Sequence, residues 1–521
     1  MRTLLINTPY PPSEFPVIPM GLAYVASVLE KEGIEVQLQD FLVTKYSKEK
    51  LEKRIADYAP EIIGITSVTM NYPVASQILK HCKEVDQNII TVIGGPHVSF
   101  WAEEALREAP WIDIVVRGEG EYTMLEIARG KSLKEIDGIA FRENENIVLT
   151  KPRHWIENLD ELPFPARHLF PLYRYRALSG ECGLITSRGC PFNCIFCIGH
   201  KMVGKKGRFR NTKLVVDEVE EILDYGFKTI NVVDDLLTLN RKHLYAFCDE
   251  IIARKLKFEW TAFSRVDTVN PELLGKMKEA GCFFICYGVE SGNQNILDIA
   301  RKKITPEKIR KAVKLSKDAG IKSLASFIIG LPGETRETLR ETVNFARELG
   351  TYYGFHLLSP FPGTEVRERA EEYKLRILTS DWLKYNANEA ITETEDVSAA
   401  ELNKIDREYQ AGIDCYVQYL EYSEKEGKLD STTREELEEL KGRRQGEIAA
   451  KLLQGEIIEN LGKMETRGDV IEELAAKVSK EITYPLHYLR EGIKGMVSEG
   501  ILHYEVDEGN VIWRWAGGST F

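Results

Sequence analysis

Three cysteines stand within eight positions of one another near the middle of the chain, in the run Arg188-Gly189-Cys190-Pro191-Phe192-Asn193-Cys194-Ile195-Phe196-Cys197. Thiolates are preferred ligands of iron–sulfur clusters and of zinc. A cubane cluster held by only three cysteines keeps one iron open for an external ligand. Zinc is the alternative, since His200 would complete a Cys3His set, but structural zinc sites usually join two knuckles across a longer insert. We favour an iron–sulfur cluster on Cys190, Cys194 and Cys197.

The cysteine loop follows the first strand of an alternating strand–helix series that runs from about 183 to 375. Five of the six predicted strands are each followed by a stretch with helical periodicity. Six units are too few for a closed eightfold barrel. We therefore predict a partial (β/α)6 barrel with its site at the carboxyl ends of the strands. The predicted strands are 184–187, 229–233, 259–263, 283–288, 323–329 and 355–358.

Residues 1 to about 145 form an earlier alternating series, which predicts an α/β domain with a doubly wound parallel sheet. Ligands of such sheets bind beyond the carboxyl ends of the strands. Small or glycine-rich turns there would let the backbone approach a bulky ligand. Taken alone, they are equally compatible with tight turns that bind nothing. The predicted turns contain Thr8-Pro9, Ser67 to Met70, Gly94 to His97 and Gly118 to Gly120.

The remaining segments complete a predicted division into domain 1–145, linker 146–178, barrel 179–378 and a mainly helical region 379–521. Four prolines and no sustained periodicity mark the linker. Long helices are predicted at 399–426 and 433–464. Helices at 469–479 and 485–499, followed by hairpin strands at 501–506 and 511–515, suggest a winged-helix module.

The charge of the chain bears on its partners. The net charge of -12 over 521 residues argues against nucleic-acid binding through bulk electrostatics. The stretch 466–521 carries nine acidic and six basic side chains, whereas a DNA-reading wing is normally basic. Recognition of a peptide or protein, or docking onto the barrel, fits this module better.

Composition indicates where the protein works. The sequence has no apolar run of the ~18 residues needed to span a membrane. Its start turns polar too early for a signal peptide. Nine cysteines are too few for a disulfide scaffold of this length. We expect a cytoplasmic protein without a membrane span.

With its aromatic residue before the third cysteine, the cysteine loop resembles the signature of the radical S-adenosylmethionine (SAM) superfamily. The resemblance implies a 4Fe-4S cluster on the three cysteines, with SAM bound to the open iron through its amino and carboxylate groups. Later motifs match the superfamily in order along the barrel, among them the fourth-strand run 288–292 and the turns 330–335 and 360–364. The implied SAM contacts are Phe196, Asp235, Arg265, Glu290 and Ser291.

The domain upstream of the barrel resembles the cobalamin-binding domain of cobalamin-dependent (class B) radical SAM enzymes, a likeness that covers about residues 1–375. The D-x-H-x-x-G motif, whose histidine binds cobalt in cobalamin mutases, is absent. The resemblance therefore implies that the loop 68–70 lies under cobalt without a strong ligand. The implied cobalamin contacts are Pro9, Ser67, Val68, Thr69, Met70, Gly94, Gly95, His97, Gly118 and Glu119.

The activity implied by the resemblance is methyl transfer. A 5′-deoxyadenosyl radical, formed by reductive cleavage of SAM, would remove hydrogen from an unactivated sp3 carbon, and methylcobalamin would donate the methyl group. The C-terminal region suggests a peptide or protein substrate. The expected electron donor is a ferredoxin or flavodoxin.

Three alternatives compete with this interpretation. A cyclase or ring-rearranging enzyme of the same group would use both cofactors without net methyl transfer. Methylthiotransferases need a second cluster on three upstream cysteines, and only Cys82 precedes Cys182. A non-catalytic cobalamin-binding regulator with a winged-helix output domain would leave the cysteine loop without a purpose.

Overall fold

The computed structural model describes residues 1–10, 16–178, 180–466, 468–507 and 509–517. The N-terminal part alternates strands with helices. Its seven strands are β1 (Thr3–Asn7), β2 (Val36–Asp40), β3 (Ile62–Thr66), β4 (Ile90–Gly94), β5 (Ile114–Val116), β6 (Ile139–Glu143) and β7 (Asn146–Leu149). Its helices are α1 (Met20–Lys31), α2 (Lys48–Tyr58), α3 (Tyr72–Val85), α4 (Pro96–Ser99), α5 (Ala102–Glu108) and α6 (Glu121–Ala128).

These strands form one sheet in the order β2-β1-β3-β4-β5-β6-β7. The first five are parallel, which confirms the predicted doubly wound sheet. The last two are antiparallel and extend one edge. Residues 146–149 were predicted as the start of the linker, but they form β7. Asn144 adopts a left-handed φ of 56° in a two-residue turn, the conformation that tight hairpins favour.

The second part begins with α7 (Leu172–Leu178) and contains the barrel. Its helices and strands are β8 (Glu181–Leu184), β9 (Ser187–Arg188), α8 (Gly199–Met202), β10 (Arg208–Phe209), α9 (Thr212–Asp224), β11 (Thr229–Val232), α10 (Arg241–Ala253), β12 (Glu259–Ser264), α11 (Pro271–Glu279), β13 (Cys282–Glu290), α12 (Gln294–Ile299), α13 (Pro306–Asp318), β14 (Lys322–Ile329), α14 (Arg336–Glu348), β15 (Tyr352–Leu357) and α15 (Glu365–Glu368).

Six parallel strands make the barrel wall in the order β15-β14-β13-β12-β11-β8. The predicted partial barrel is confirmed. Its helices α9 to α14 start at side chains that accept a hydrogen bond from a backbone N–H of the first turn, as helix caps do. These caps are Asn211, Asn240, Asn270, Asn293, Thr305 and Thr335.

The first barrel strand differs from its prediction. It was expected at 184–187, whereas β8 ends at Leu184. Ser187 and Arg188 instead pair antiparallel with Phe209 and Arg208. The cysteine loop lies in the connection between these two short strands.

The C-terminal part is mainly helical. Its helices and strands are β16 (Arg376–Ile377), β17 (Thr392–Glu393), α16 (Ala399–Lys425), α17 (Ser431–Gln454), α18 (Ile457–Asn460), β18 (Lys463–Glu465), α19 (Val470–Val478), α20 (Leu486–Ser498), β19 (Leu502–Asp507) and β20 (Asn510–Trp515). From α17 onward, β18, β20 and β19 form one antiparallel sheet beside α19 and α20. Counted together, α17 and the four-residue α18 are followed by strand, helix, helix, strand and strand, which is the order of a winged helix.

The single helix expected at 433–464 is wrong at its C-terminal end. The helix stops at Gln454, and Glu456 adopts a left-handed φ of 50°. Met464 then lies in β18, paired with Val511. The turn of the predicted hairpin includes Glu508, which lies outside the described residues.

A continuous apolar core joins the three parts. Leu5 of β1, Leu184 of β8 and Ile448 of α17 belong to the same buried cluster. A second cluster covers the opposite face of the N-terminal sheet. In the part of the chain that the structure describes, no helix has both the length and the apolar character to cross a membrane.

Candidate functional site

A cavity of about 370 Å³ lies between the N-terminal sheet and the barrel. The carboxyl ends of β3, β4 and β5 line one side of it. The barrel lines the other side through Ile185, Val233 and Asp235. Of the predicted cobalamin contacts, the lining includes Ser67, Val68, Gly94, Gly95, Gly118 and Glu119.

Glycines at two positions leave space beside the backbone that a side chain would otherwise fill. A Cβ on Gly64, in the middle of β3, would lie 2.9 Å from Leu5 Cδ2 and 3.4 Å from Met124 Cε. A Cβ on Gly95 would lie 2.2 Å from the carbonyl oxygen of Ser67, and Gly95 has φ +106°. Only glycine suits that turn. Gly64 was not predicted as a site residue, although a glycine inside an apolar strand is a known sign of close approach.

The lining fits a corrin. It combines an apolar pocket between strands with turns whose glycines present bare backbone to the cavity. It also opens toward the barrel, so a ligand larger than the cavity can extend past the sheet. Tyr10 and Asn71 are further lining residues that the sequence analysis did not single out.

Four predicted cobalamin contacts, Pro9, Thr69, Met70 and His97, do not line this cavity. His97 is buried against Tyr72, with ring centroids 4.4 Å apart, and against Trp382 at 4.9 Å. Its Nδ1 lies 3.3 Å from the hydroxyl of Thr69. Burial, with a smaller contribution from Arg367, lowers the pKa of His97 to about 3. The histidine is therefore neutral and part of an aromatic cluster behind the loop 68–70.

The cysteine loop begins at Gly189, which has φ +112° and whose Cβ would lie 2.4 Å from the carbonyl oxygen of Lys206. Of the three thiols, that of Cys194 is buried and that of Cys197 lies in an exposed residue. Although Cys197 is exposed as a residue, its sulfur is largely shielded from solvent, and this desolvation raises the pKa of Cys197 to about 11. The neighbouring thiols of Cys194 and Cys190 raise it further.

The arrangement of the thiols bears on the choice of metal. Among the described residues, no three His, Cys, Asp or Glu side chains converge as a single metal ion requires. A cubane cluster does not require its three cysteine sulfurs to converge on one point, because each cysteine binds a different iron. The donor set is three thiolates, which fits an iron–sulfur cluster.

A buried ion pair stands beside the cysteine loop. The ammonium of Lys302 donates to Oε1 of Glu290 at 2.6 Å, and both side chains are less than a tenth exposed. A Cβ on Gly288 would meet both groups, at 2.7 Å from Glu290 Oε1 and 2.8 Å from Lys302 Nζ. The positive charge of Lys302 lowers the pKa of each cluster cysteine against the larger effect of burial. Lys302 was not predicted, since its position depends on a loop that follows α12.

Arg265 connects that loop to the cysteine loop. Its guanidinium stacks 3.6 Å from the ring centroid of Phe192 and donates to the carbonyl oxygen of Lys302 at 2.7 Å. Nε and Nη2 of Arg265 also donate to Oδ1 and Oδ2 of Asp267, at 2.9 and 3.0 Å. Arg265 thus binds three protein groups at the mouth of the barrel.

The other predicted SAM contacts have different surroundings. Asp235 accepts from the backbone N–H of Gly189 at 2.9 Å and lines the cavity. The hydroxyl of Ser291 lies 2.9 Å from that of Thr342 on α14 and is fully buried. Phe196 packs against a small apolar cluster under the cysteine loop. The structure therefore places Phe196, Asp235, Arg265 and Glu290 around the cysteine loop and turns Ser291 toward α14.

Comparisons with known proteins agree with both halves of this site. The family model for the radical SAM superfamily matches residues 184–346, and that for the B12 binding domain matches residues 12–128. The uncharacterized methyltransferase PH0819 of Pyrococcus horikoshii is 38% identical over 394 residues, which cover 74% of this chain and 85% of that protein. The anaerobic magnesium-protoporphyrin IX monomethyl ester cyclase of Rubrivivax gelatinosus is 32% identical over 401 residues, covering 74% of this chain and 71% of that one.

A solved structure shares the fold across nearly the whole chain. The cobalamin-dependent S-adenosylmethionine radical enzyme OxsB, with aqua-cobalamin and S-adenosylmethionine bound, superposes with a TM-score of 0.70 at 19% identity. The match covers 96% of this chain and 84% of that one. At this identity the likeness concerns the fold.

The protein is thus an enzyme with a cobalamin-binding sheet joined to a radical SAM barrel. The chain belongs to the family of cobalamin-dependent radical SAM methyltransferases and their cyclase relatives. The cofactors of this family are a 4Fe-4S cluster, SAM and cobalamin.

Proposed function

We propose that the enzyme methylates an unactivated sp3 carbon, with a methyl group carried on cobalamin and a substrate radical generated from SAM. The observation that carries this proposal is the shared cavity. Its walls come from the glycine turns of the N-terminal sheet and from Asp235, which binds the start of the cysteine loop. A corrin held by these turns faces the barrel mouth.

The residues of the chain position the bound groups and keep water away from them. Cys190, Cys194 and Cys197 would hold the cluster, and the turns at Ser67, Gly95 and Gly118 would hold the corrin. When bound, these groups supply reductive cleavage of SAM and transfer of a methyl group. The apolar lining keeps solvent from a reactive carbon, and fixed geometry brings donor and acceptor together.

We assign SAM to the barrel mouth, between the cysteine loop and the pair Glu290–Lys302. Phe196, Asp235 and Arg265 surround the same opening. Arg265 and Lys302 are the cations of this group, so the SAM carboxylate would enter near them. Ser291 supports the wall through Thr342.

The substrate we propose is a peptide or protein. The support is the winged helix. Its excess of acidic over basic side chains disfavours nucleic acid. It packs on the rest of the enzyme through contacts between α17 and α7. An electron donor such as ferredoxin or flavodoxin is part of the proposal, as is the cytoplasmic location in which such donors work.

A product assay tests methyl transfer. The anaerobic enzyme with its cofactors, a reductant and a candidate substrate should yield 5′-deoxyadenosine, S-adenosylhomocysteine and a product in which one methyl group replaces a hydrogen. Deuterated methyl-SAM should move its label into that product. 5′-Deoxyadenosine formed without S-adenosylhomocysteine and without a methylated product would contradict methyl transfer.

A cyclase activity is the second candidate, because a relative at 32% identity carries that name. The same assay separates the two. A cyclase would consume SAM to 5′-deoxyadenosine and change the substrate without adding labelled methyl.

A further inference from the structure

Four buried charges join the two halves of the enzyme at the edge of the cavity. Arg188, in β9, donates to Glu119 at 2.9 Å and to Glu121 at 2.7 Å. Arg208, in the paired strand β10, donates to both oxygens of Glu119 at 2.8 and 2.9 Å. All four side chains are at most 9% exposed.

The glutamates belong to the N-terminal domain and the arginines to the barrel. Glu119 lies in the turn after β5, and Glu121 is the first residue of α6. Arg188 comes two residues before Cys190 in the chain. The guanidinium of Arg188 therefore binds the turn that lines the proposed corrin site. Arg188 itself belongs to the chain segment that carries the cluster ligands.

The network is geometrically constrained. Arg188 uses one arm of its fork for each glutamate, and its guanidinium lies 5.1 Å from the ring centroid of Tyr24. On the other side of Arg188, the N–H of Gly189 is held by Asp235 at 2.9 Å. Within the network the charges of Arg188 and Arg208 are paired with those of Glu119 and Glu121, and a buried charge is tolerated only when it is paired in this way.

Each glutamate has a distinct role in this arrangement. Glu119 is bound by both arginines and also accepts from the backbone N–H of Ile156 at 2.9 Å. Glu121 has Arg188 as its salt-bridge partner. Loss of Arg188 would leave the turn tied to the barrel through Arg208 but would free α6 from the cysteine loop.

We propose that Arg188 is a positioning residue that fixes the distance between the corrin-binding turn 118–121 and the cysteine loop, and so the separation of the two metal centres. The inference rests on the proposed function. It matters for that function because the methyl donor and the radical must reach the same carbon, where small misplacements are costly.

The test measures the separation without any substrate. Anaerobic enzyme is loaded with hydroxocobalamin, reduced to the Co(II) state, and its cluster is reduced. The paramagnetic cluster speeds relaxation of the Co(II) electron-spin signal, an effect that falls steeply with distance. The measured quantity is the microwave power at half-saturation of that signal, with the cluster oxidised and reduced.

Two variants and a control are compared. Arg188→Lys replaces the forked guanidinium by an ammonium group, which cannot bind two carboxylates in that geometry. Glu121→Gln keeps a hydrogen-bond acceptor but removes one charge. Arg167→Lys is the matched control, because Arg167 is a fully buried arginine whose hydrogen bonds go to Glu218 at 2.6 Å and to the carbonyl oxygen of Gly183 in β8, rather than to the turn 118–121.

We expect Arg188→Lys to retain cobalamin and iron but to lose most of the relaxation enhancement, several-fold in half-saturation power, with a smaller loss for Glu121→Gln. Arg167→Lys should melt at a lower temperature with the enhancement intact. Wild-type enhancement in Glu121→Gln and in Arg188→Lys, or an equal loss in Arg167→Lys, would overturn the inference. If Arg188→Lys does not fold, Glu121→Gln decides.

This outcome is separable from failure of the proposed function. A wild-type enzyme that binds no cobalamin or forms no cluster would refute the proposed function and this inference with it. A wild-type enzyme that binds both, but whose variants behave as wild type, would refute the role of Arg188 alone.

Discussion

Gly64 shows how the absence of one side chain shapes the cavity. Its missing Cβ leaves the floor of the cavity open between Leu5 and Met124. The neighbouring strand β1 is fully buried and so is the middle of β4, so the space cannot be recovered by moving the backbone outward. A larger residue would fill the pocket from below.

We predict that Gly64→Leu weakens binding of hydroxocobalamin by about tenfold or more. A leucine side chain would occupy space that the ligand needs, and a loss of about 1.4 kcal/mol of binding free energy corresponds to tenfold in affinity. Binding is followed by the absorbance of cobalamin after gel filtration. Gly275→Leu, at an exposed position of α11 with no atom within 4 Å of the added Cβ, is the control. Equal binding by both variants would contradict the placement of the cofactor.

At the same scale, the sequence suggested candidate cluster ligands but not the residues that surround them. Cys190, Cys194 and Cys197 were identifiable because ligand type and spacing are local properties. Lys302 and Arg188 were not, since each acts through a partner more than ten residues away. Long-range pairs of this kind leave no periodic signal.

Among the elements, the turn after β14 shows how burial alters a carboxyl group. Glu334 is 1% exposed, and its Oε2 accepts from the N–H of Gly330 at 2.6 Å. Burial raises the pKa of Glu334 to about 8, against the opposing hydrogen bonds of Gly330 and Leu331. Because the folded pKa lies above the unfolded value, the native state binds this proton more tightly than the unfolded chain does.

The stabilising effect of this proton is therefore fully present below the ordinary glutamate pKa and is lost as pH rises toward about 8. We predict that the melting temperature falls between pH 5 and pH 8, values that bracket most of this range, and that Glu334→Gln flattens the fall. An amide stays neutral and still accepts from Gly330. Glu337→Gln, on the exposed first turn of α14, should keep the wild-type slope. A wild-type slope in Glu334→Gln would refute this account.

Helix and strand patterns were predictable where periodicity was strong and failed where tertiary pairing decided. The six barrel strands and the wing follow apolar alternation. β7 was missed because its few residues are half exposed and gain their stability from pairing with β6. The end of α17 was missed although Gly455, directly after Gln454, is a helix-stop signal. The strand at Met464 could not be predicted locally, because it forms by pairing with β20.

For the molecule as a whole, Arg174 ties the three parts together. It is buried in α7 and donates to the carbonyl oxygen of Val43 at 2.7 Å and to that of Leu453 at 3.4 Å. It also forms a salt bridge with Glu459 of α18. The winged helix is thereby fixed against the N-terminal domain, which is the arrangement expected of a docked module.

We predict that Arg174→Met loosens the C-terminal part selectively. Breaking a buried ion pair costs about 3–5 kcal/mol, because the remaining carboxylate is left without its partner. Hydrogen exchange should accelerate in α18 to β20 and stay unchanged in β1 to β5. Arg254→Met, which removes ion pairs on the barrel surface, is the control. Uniform acceleration across the chain would show that Arg174 does not act as a local tie.

The central claim is that three thiolates hold a cluster opposite a corrin bound by the N-terminal sheet. The most direct measurement is the content of iron, acid-labile sulfide and cobalamin in enzyme purified and reconstituted without oxygen. We predict equal amounts of one 4Fe-4S cluster and one cobalamin per chain, and a Cys194→Ala variant that loses iron and sulfide while keeping cobalamin. Wild-type protein that carries no sulfide and does not bind hydroxocobalamin would contradict the account.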